Sequence, residues 1–503
     1  MRLFEVLTLT VLLMMVTGYF FPVRKRPRWM AGLPALAVLT LVAHLIFEKY
    51  RWQMMPVYVL MALLILAAVY RVKKQGRAQE KPSSKRTRVF VVVLASLGML
   101  YLAASASLLG LMPVRPLQRP TGPYSVGTTF LYLKDNSRHE TLTEDPNDHR
   151  EFMARIWYPA NPIKGTKPIR YKNYQKRVGS ILESDSASLP GGPPDFVFSH
   201  LVLVKSNSYA DAPFAGKTGS CPVIGFSAGF LSDLDEYQLQ FEELASQGYV
   251  VFSCDQPFES RSNVRPDGQI VPFRRSHAEE FQRCSKAVLP LWKKFWETSD
   301  ELERASLIRE ILKTETFMDR IFRIRTADMQ FAINEFEKMN SGERDSLFRG
   351  RLDMSRIGVF GHSGGGAVAG QCCVTDLRFK AGVNMDGFQF GDVSDSTVEQ
   401  PFMFIYSEPF ADTNAVMMKS FVNSSYVLTI QGSRHLDFSD NPFVLPITKK
   451  MGMSGPIPAK RMTEILNRYL LAFFDTYLRN KKVSLLDGPS PDYPEVQFKK
   501  HSQ

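Results

Sequence analysis

Acidic residues are nearly missing from the first 120 positions of this 503-residue chain. Glu5, Glu48 and Glu80 stand there against 17 lysines and arginines, a local net charge of +14. The other 383 residues carry 45 basic and 47 acidic side chains, so the formal +12 is an N-terminal property. That excess flanks long apolar runs, where membrane topology explains it, and no nucleic-acid partner is expected. Cysteine is scarce too. Cys221, Cys254, Cys284, Cys372 and Cys373 form no C-x-x-C pair, and no histidine lies at metal-ligand spacing from them. No metal and no organic cofactor is therefore expected, and no disulfide pairing is readable. Repeats of roughly 20–50 residues are absent. With 45% hydrophobic and 22% charged residues the chain is neither disordered, collagen-like nor coiled-coil.

Four apolar stretches fill the N-terminal part: Leu3–Phe21, Met30–Phe47, Met54–Tyr70 and Val89–Met112. Each reaches or approaches the ~17–25 residues that span a bilayer as a helix. Only Glu5 and His44 interrupt them with ionisable groups. A cleaved signal peptide fits the first stretch poorly, because it lacks a small-x-small site and three more spans follow. The first loop holds Arg24, Lys25, Arg26 and Arg28, and the third holds Arg71, Lys73, Lys74, Arg77, Lys81, Lys85, Arg86 and Arg88. The second has only Lys49 and Arg51, and Arg115 and Arg119 follow the fourth span. The positive-inside rule then places loops one and three in the cytoplasm and both termini outside. The expected layout is a four-helix transmembrane region over 1–113, a Pro/Gly-rich linker over 114–124, and a folded domain over 125–503 on the extracytoplasmic side of a cell membrane.

Beyond residue 125, short apolar strands alternate with amphipathic helices, which predicts a mostly parallel sheet. The expected strands are Ala154–Tyr158, Val223–Ser227, Tyr249–Cys254, Arg356–Phe360, Ala381–Met385, Phe402–Tyr406 and Tyr426–Ile430. Helices are expected at Tyr237–Ser246, Ser276–Glu297, Asp300–Lys313, Arg323–Met339 and Pro458–Leu478. This is the order of an α/β-hydrolase with a helical insert at about 273–345.

The chemistry centres on Gly361-His362-Ser363-Gly364-Gly365, placed between the strand Arg356–Phe360 and the small-residue run Gly366–Gly370. Strand, tight turn and helix make the setting of a nucleophile elbow, in which Gly361 and Gly365 leave room for a strained serine. Chain order in this fold is Ser, acid, His. Only His435 and His501 follow Ser363, and His501 sits in a Lys-rich tail, so His435 is the expected base. Asp386 ends one strand and Glu408 ends the next, and both are candidates for the acid that orients the imidazole. The oxyanion hole is expected from the backbone N–H groups of Gly364 and of Phe230, in the loop Ala228-Gly229-Phe230. His362 is expected to pack rather than react.

Three blocks carry a family resemblance: Ile357–Gly365, Phe379–Gly387, and Gln431–His435 with Phe438. Arg155-Ile156-Trp157-Tyr158-Pro159 and Arg325-x-x-Asp328 add to it. Together, over roughly residues 150–480, the chain resembles the platelet-activating-factor acetylhydrolase family. The resemblance implies a calcium-independent serine esterase or lipase with Asp386, not Glu408, as the acid, and with Phe230 and Gly364 as the oxyanion donors. Ala228-Gly229 stands where that family usually has His-Gly. The expected substrates are carboxylic esters, short-acyl phospholipids among them, and the expected partners are membrane lipids. A non-enzymatic membrane sensor or scaffold is the alternative. The apolar run Phe196, Val197, Phe198, Leu201, Val202 and Leu203 fits either an interfacial face beside the active-site mouth or ordinary core.

Overall fold

Runs rich in Val, Ile, Phe and Tyr become strands here because helices bury them on both faces. The computed structural model describes residues 1–22, 26–75, 84–172, 195–216, 219–234, 236–260, 263–271 and 273–501. Two compact units are present. One comprises Met1–Arg115 with Phe196–Val204 and Val444–Ile447, and the other comprises Pro116–Asp195, Lys205–Phe443 and Thr448–Gln503.

The larger unit is built on a 10-stranded sheet. Its strands in chain order are β1 (Ser125–His139), β2 (His149–Ala160), β3 (Ser208–Ala210), β4 (Cys221–Ser227), β5 (Val250–Cys254), β6 (Leu352–His362), β7 (Phe379–Met385), β8 (Phe402–Ser407), β9 (Ser425–Ile430) and β10 (Val496–His501). Across the sheet they run β10-β9-β8-β7-β6-β4-β5-β2-β1-β3. The stretch from β5 through β4 to β9 is parallel, while β2 and β10 add antiparallel. Six strands thus share one direction, and their C-terminal ends form one edge. In open parallel sheets that edge carries the site. Apolar clusters flank the sheet, one containing Phe252, Phe336 and Val368, the other Phe226, Phe360 and Phe473.

The segment before the sheet is tied down. Leu117 is buried and its N–H donates to the Lys205 carbonyl at 2.8 Å. Thr121 gives both its N–H and its hydroxyl to the buried Glu243 carboxylate, at 2.8 and 2.5 Å. The Pro/Gly composition read as a linker therefore runs along the larger unit as a fixed strap.

In the smaller unit, the segments Leu3–Phe20, Arg28–Glu48, Trp52–Lys73 and Lys85–Leu111 are four helices long and apolar enough to cross a membrane. One face of each packs inward through Leu12, Val16, Ala37, Val57 and Leu109. The opposite faces expose Leu39, Leu63, Leu66, Phe90 and Leu100, a surface suited to hydrocarbon and costly in water. Where the helices meet, Arg51 is buried and grips Glu5 with Nε and Nη2, each at 2.7 Å, while Nη1 donates to the Met112 carbonyl at 2.7 Å. His44 bonds Glu48 at 3.0 Å and the Tyr58 hydroxyl at 2.7 Å. Glu5, His44 and Glu48 are grouped as metal ligands can be, but Arg51 and Arg2 already neutralise Glu5. This is an ion-pair knot joining the helices. Removing one partner of a buried pair costs about 3–5 kcal/mol. Arg51→Met is therefore expected to lower the unfolding midpoint of detergent-purified protein strongly, and adding Glu5→Gln should recover much of the loss.

The apolar run at 196 lies in a 3-10 helix, Asp195–Leu203. The Val197 carbonyl receives donors from Trp52 at 3.1 Å, Gln53 at 3.4 Å and His200 at 3.2 Å. Phe196 meets the Trp52 ring edge-on at 5.5 Å. This run belongs to the helical unit.

Candidate active site

Ser363 sits between β6 and helix Gly364–Thr375 with φ 56° and ψ −126°, a conformation few non-glycine residues adopt. Its N–H donates to the Met385 carbonyl at 2.8 Å, and its own carbonyl accepts from Gly366 at 2.9 Å. The elbow glycines are dictated by space. A Cβ on Gly361 would stand 2.0 Å from the Gly365 carbonyl oxygen, and one on Gly365 would stand 1.9 Å from that of Ser227. Any side chain at either position would push the elbow off the strand beside it.

Asp386 follows β7 and also has positive φ, 55°. It is fully buried, with Oδ1 accepting from the Ser407 N–H at 2.6 Å and Oδ2 from the Ser407 hydroxyl at 2.9 Å. Oδ2 also receives His435 Nδ1 at 2.7 Å. His435 opens the 3-10 turn His435–Phe438 after β9. Its ring is partly exposed and stacks on Phe410 at 5.3 Å. A carboxylate on Nδ1 leaves the other ring nitrogen free to take a proton. Glu408 lies elsewhere: it is exposed and accepts the Gly432 N–H at 2.9 Å. Ser363 and His435 share this sheet edge without a hydrogen bond between them, a contact that commonly tightens only with substrate bound.

The loop carrying Phe230 touches the elbow, since a Cβ on Gly229 would lie 3.3 Å from Ser363 Cβ. Its Ala228 carbonyl is fixed by Arg325 at 3.0 Å and Gln256 at 3.2 Å. Arg325 is in turn paired with the buried Glu259 at 2.5 Å. The helices Arg275–Glu297, Glu301–Thr314 and Thr316–Ser341 supply the apolar surroundings. Phe281 and Phe317 pack on Phe230 at 4.7 and 5.7 Å, and Phe322 covers Gly364, where a Cβ would lie 2.5 Å from its ring. Phe388, two residues past Asp386, meets Trp292 at 4.8 Å.

His362 is buried. Its Nδ1 faces the Tyr237 hydroxyl at 2.9 Å and its Nε2 the His435 main-chain carbonyl at 3.0 Å. His362, Asp386 and His435 place potential metal donors within 4.8 Å of one another. Both ring nitrogens of His362 and Nδ1 of His435 are already engaged, so no converging set of lone pairs is left for a cation.

Sequence reasoning missed Ser407 as the residue that cradles Asp386, and missed the contacts of Tyr237 and Arg325. Ser407 directly precedes Glu408, which drew attention as a carboxylate. No disulfide joins cysteines among the described residues, and burial pushes Cys254, Cys372 and Cys373 up in pKa. These are structural rather than reactive groups.

Parallel sheet, crossover helices and an elbow at the central strand define an α/β-hydrolase. A ferulic acid esterase from Streptomyces cinnamoneus shares this fold, with TM-score 0.58 and 23% identity over 77% of this chain and 99% of that one. The profile of "Platelet-activating factor acetylhydrolase, isoform II" matches residues 110–487. Platelet-activating factor acetylhydrolase of Bos taurus is 33% identical, covering 73% of this chain and 78% of the relative. That of Gallus gallus is 27% identical, covering 74% and 87%. A probable 1-alkyl-2-acetylglycerophosphocholine esterase of Arthroderma benhamiae is 24% identical, covering 76% and 93%. The chain belongs to the platelet-activating-factor acetylhydrolase family and is a carboxylic ester hydrolase.

Proposed function

We propose that this protein is a membrane-anchored serine esterase that cleaves short-acyl lipid esters of the 1-alkyl-2-acetylglycerophosphocholine type. The observation that carries the mechanism is the Asp386–His435 pair at 2.7 Å, on the sheet edge where Ser363 occupies the elbow. Ser363 Oγ attacks the ester carbonyl as its proton passes to His435 Nε2. Asp386 keeps Nδ1 protonated and steadies the imidazolium. The N–H groups of Phe230 and Gly364 receive the oxyanion. Collapse breaks the C–O bond, the leaving alcohol takes the proton from His435, and water then hydrolyses the acyl-serine by the same route to release the carboxylic acid. Phe230, Phe281, Phe317 and Phe322 crowd the oxyanion side, which favours a short acyl group.

Two measurements test this. A fluorophosphonate probe should label the full-length protein at Ser363, and acetyl esters should turn over faster than long-chain p-nitrophenyl esters. An unlabelled, inactive protein would instead support a non-enzymatic sensor or scaffold.

Anchoring and orientation rest on the four apolar helices and on 12 Lys/Arg in loops one and three against four in loop two and after the fourth span. The catalytic unit then works outside the cytoplasm, with membrane lipids as neighbours. A reporter that functions only outside should be active when fused after Gln503 and silent when inserted after Gln79. The reverse pattern would send the search for substrate to cytosolic esters.

A further inference from the structure

We infer that His362, the residue before the nucleophile, is a positioning residue that holds the catalytic base through its main chain. His435 stands on a short 3-10 turn after a glycine with φ 71°, not on a long element. Something must set how deeply its imidazole reaches toward Ser363. His362 ends β6, a central strand, and its Nε2 lies 3.0 Å from the His435 carbonyl oxygen. A carbonyl only accepts, so Nε2 carries the proton. Nδ1 is then a lone pair, and Tyr237 donates its hydroxyl to it at 2.9 Å. Burial lowers the His362 pKa well below the ordinary histidine range and keeps the ring in this neutral form. Its faces are fixed as well, by Phe438 stacked at 5.7 Å and 9° and by the His435 ring at 4.6 Å. The same Tyr237 oxygen lies 3.4 Å from the Gly229 N–H, in the loop that carries Phe230.

One buried imidazole therefore joins three parts of the site. Nucleophile and base are linked by a single peptide unit, one side chain and one hydrogen bond. The inference rests on the serine-esterase reading, because it presumes that His435 is the base.

The test compares two amides in full-length protein. In His362→Gln the amide nitrogen falls near the Nε2 position and still donates to the His435 carbonyl. In His362→Asn the shorter amide reproduces Nδ1 and cannot reach that carbonyl. With p-nitrophenyl acetate, Asn should lower kcat by about 100-fold, the usual cost of a 1 Å misplacement, with KM nearly unchanged. Gln should recover most of the loss at a similar thermal midpoint. Equal kcat for the two variants overturns the inference, and so does a loss that follows the midpoint alone. If neither variant folds, Tyr237→Phe decides: kcat should drop with KM unchanged, and an unchanged kcat overturns the inference. Wild-type protein that neither turns over ester nor takes up the fluorophosphonate probe would instead bring down the esterase reading itself.

Discussion

Ser363→Ala is expected to reduce ester turnover by about 10⁶-fold, the scale on which removal of a triad nucleophile acts. The fold should survive, because no hydrogen bond anchoring the elbow uses the hydroxyl. The elbow is held by main-chain bonds to Met385 and Gly366, and alanine keeps all of them. At φ 56° alanine bears a strain similar to that of serine. The measurements are steady-state hydrolysis and thermal unfolding, with probe labelling as the control. Turnover near the wild-type level with a normal midpoint would remove Ser363 from the mechanism.

Asp386→Asn comes next, with an expected loss of about 10⁴ in kcat. Asparagine suits the left-handed backbone at this position better than most residues do, and its carbonyl oxygen can still accept from Ser407. What changes is the group facing His435 Nδ1, which becomes a donor where an acceptor is needed. The imidazole then takes the wrong tautomer, with its proton on the nitrogen that must receive one from serine. Glu408→Gln is the matched control. It touches only the Gly432 N–H from an exposed position, and changes at such sites are worth about 0.5 kcal/mol or less. Reversed results would move the acid to the later strand.

Legibility from sequence followed burial. Strands covered on both faces, such as Val223–Ser227 and Phe402–Tyr406, announce themselves as continuous apolar runs, and both are strands in the structure. β1 was missed, since its second half, Lys134–His139, is mostly polar where the strand leaves the core. β10 was missed because it is an edge strand bearing Lys499 and Lys500, and its His501 pairs with Ser425 instead of trailing as a tail. Lysine on an edge is a protection against further pairing, so the feature that makes β10 a safe edge also hides it. The elbow was readable because tight local geometry demands particular residues in a row. Ser407 and Tyr237 act across separations of 21 and 125 residues, and no local pattern encodes such meetings. Arg51 looked like a loop charge for the same reason, its partner Glu5 being 46 residues away.

Joining four helices to an existing esterase by gene fusion would create one seam. Here the chain enters the helical unit three separate times, at Met1–Arg115, Phe196–Val204 and Val444–Ile447. The two later visits bury apolar side chains, among them Leu201, Val204 and Val444. A cut at residue 115 therefore leaves two greasy stumps on the catalytic fragment, one of them nine residues past His435. A useful soluble version calls for 196–204 and 444–447 to be replaced by polar turns before the helices are removed.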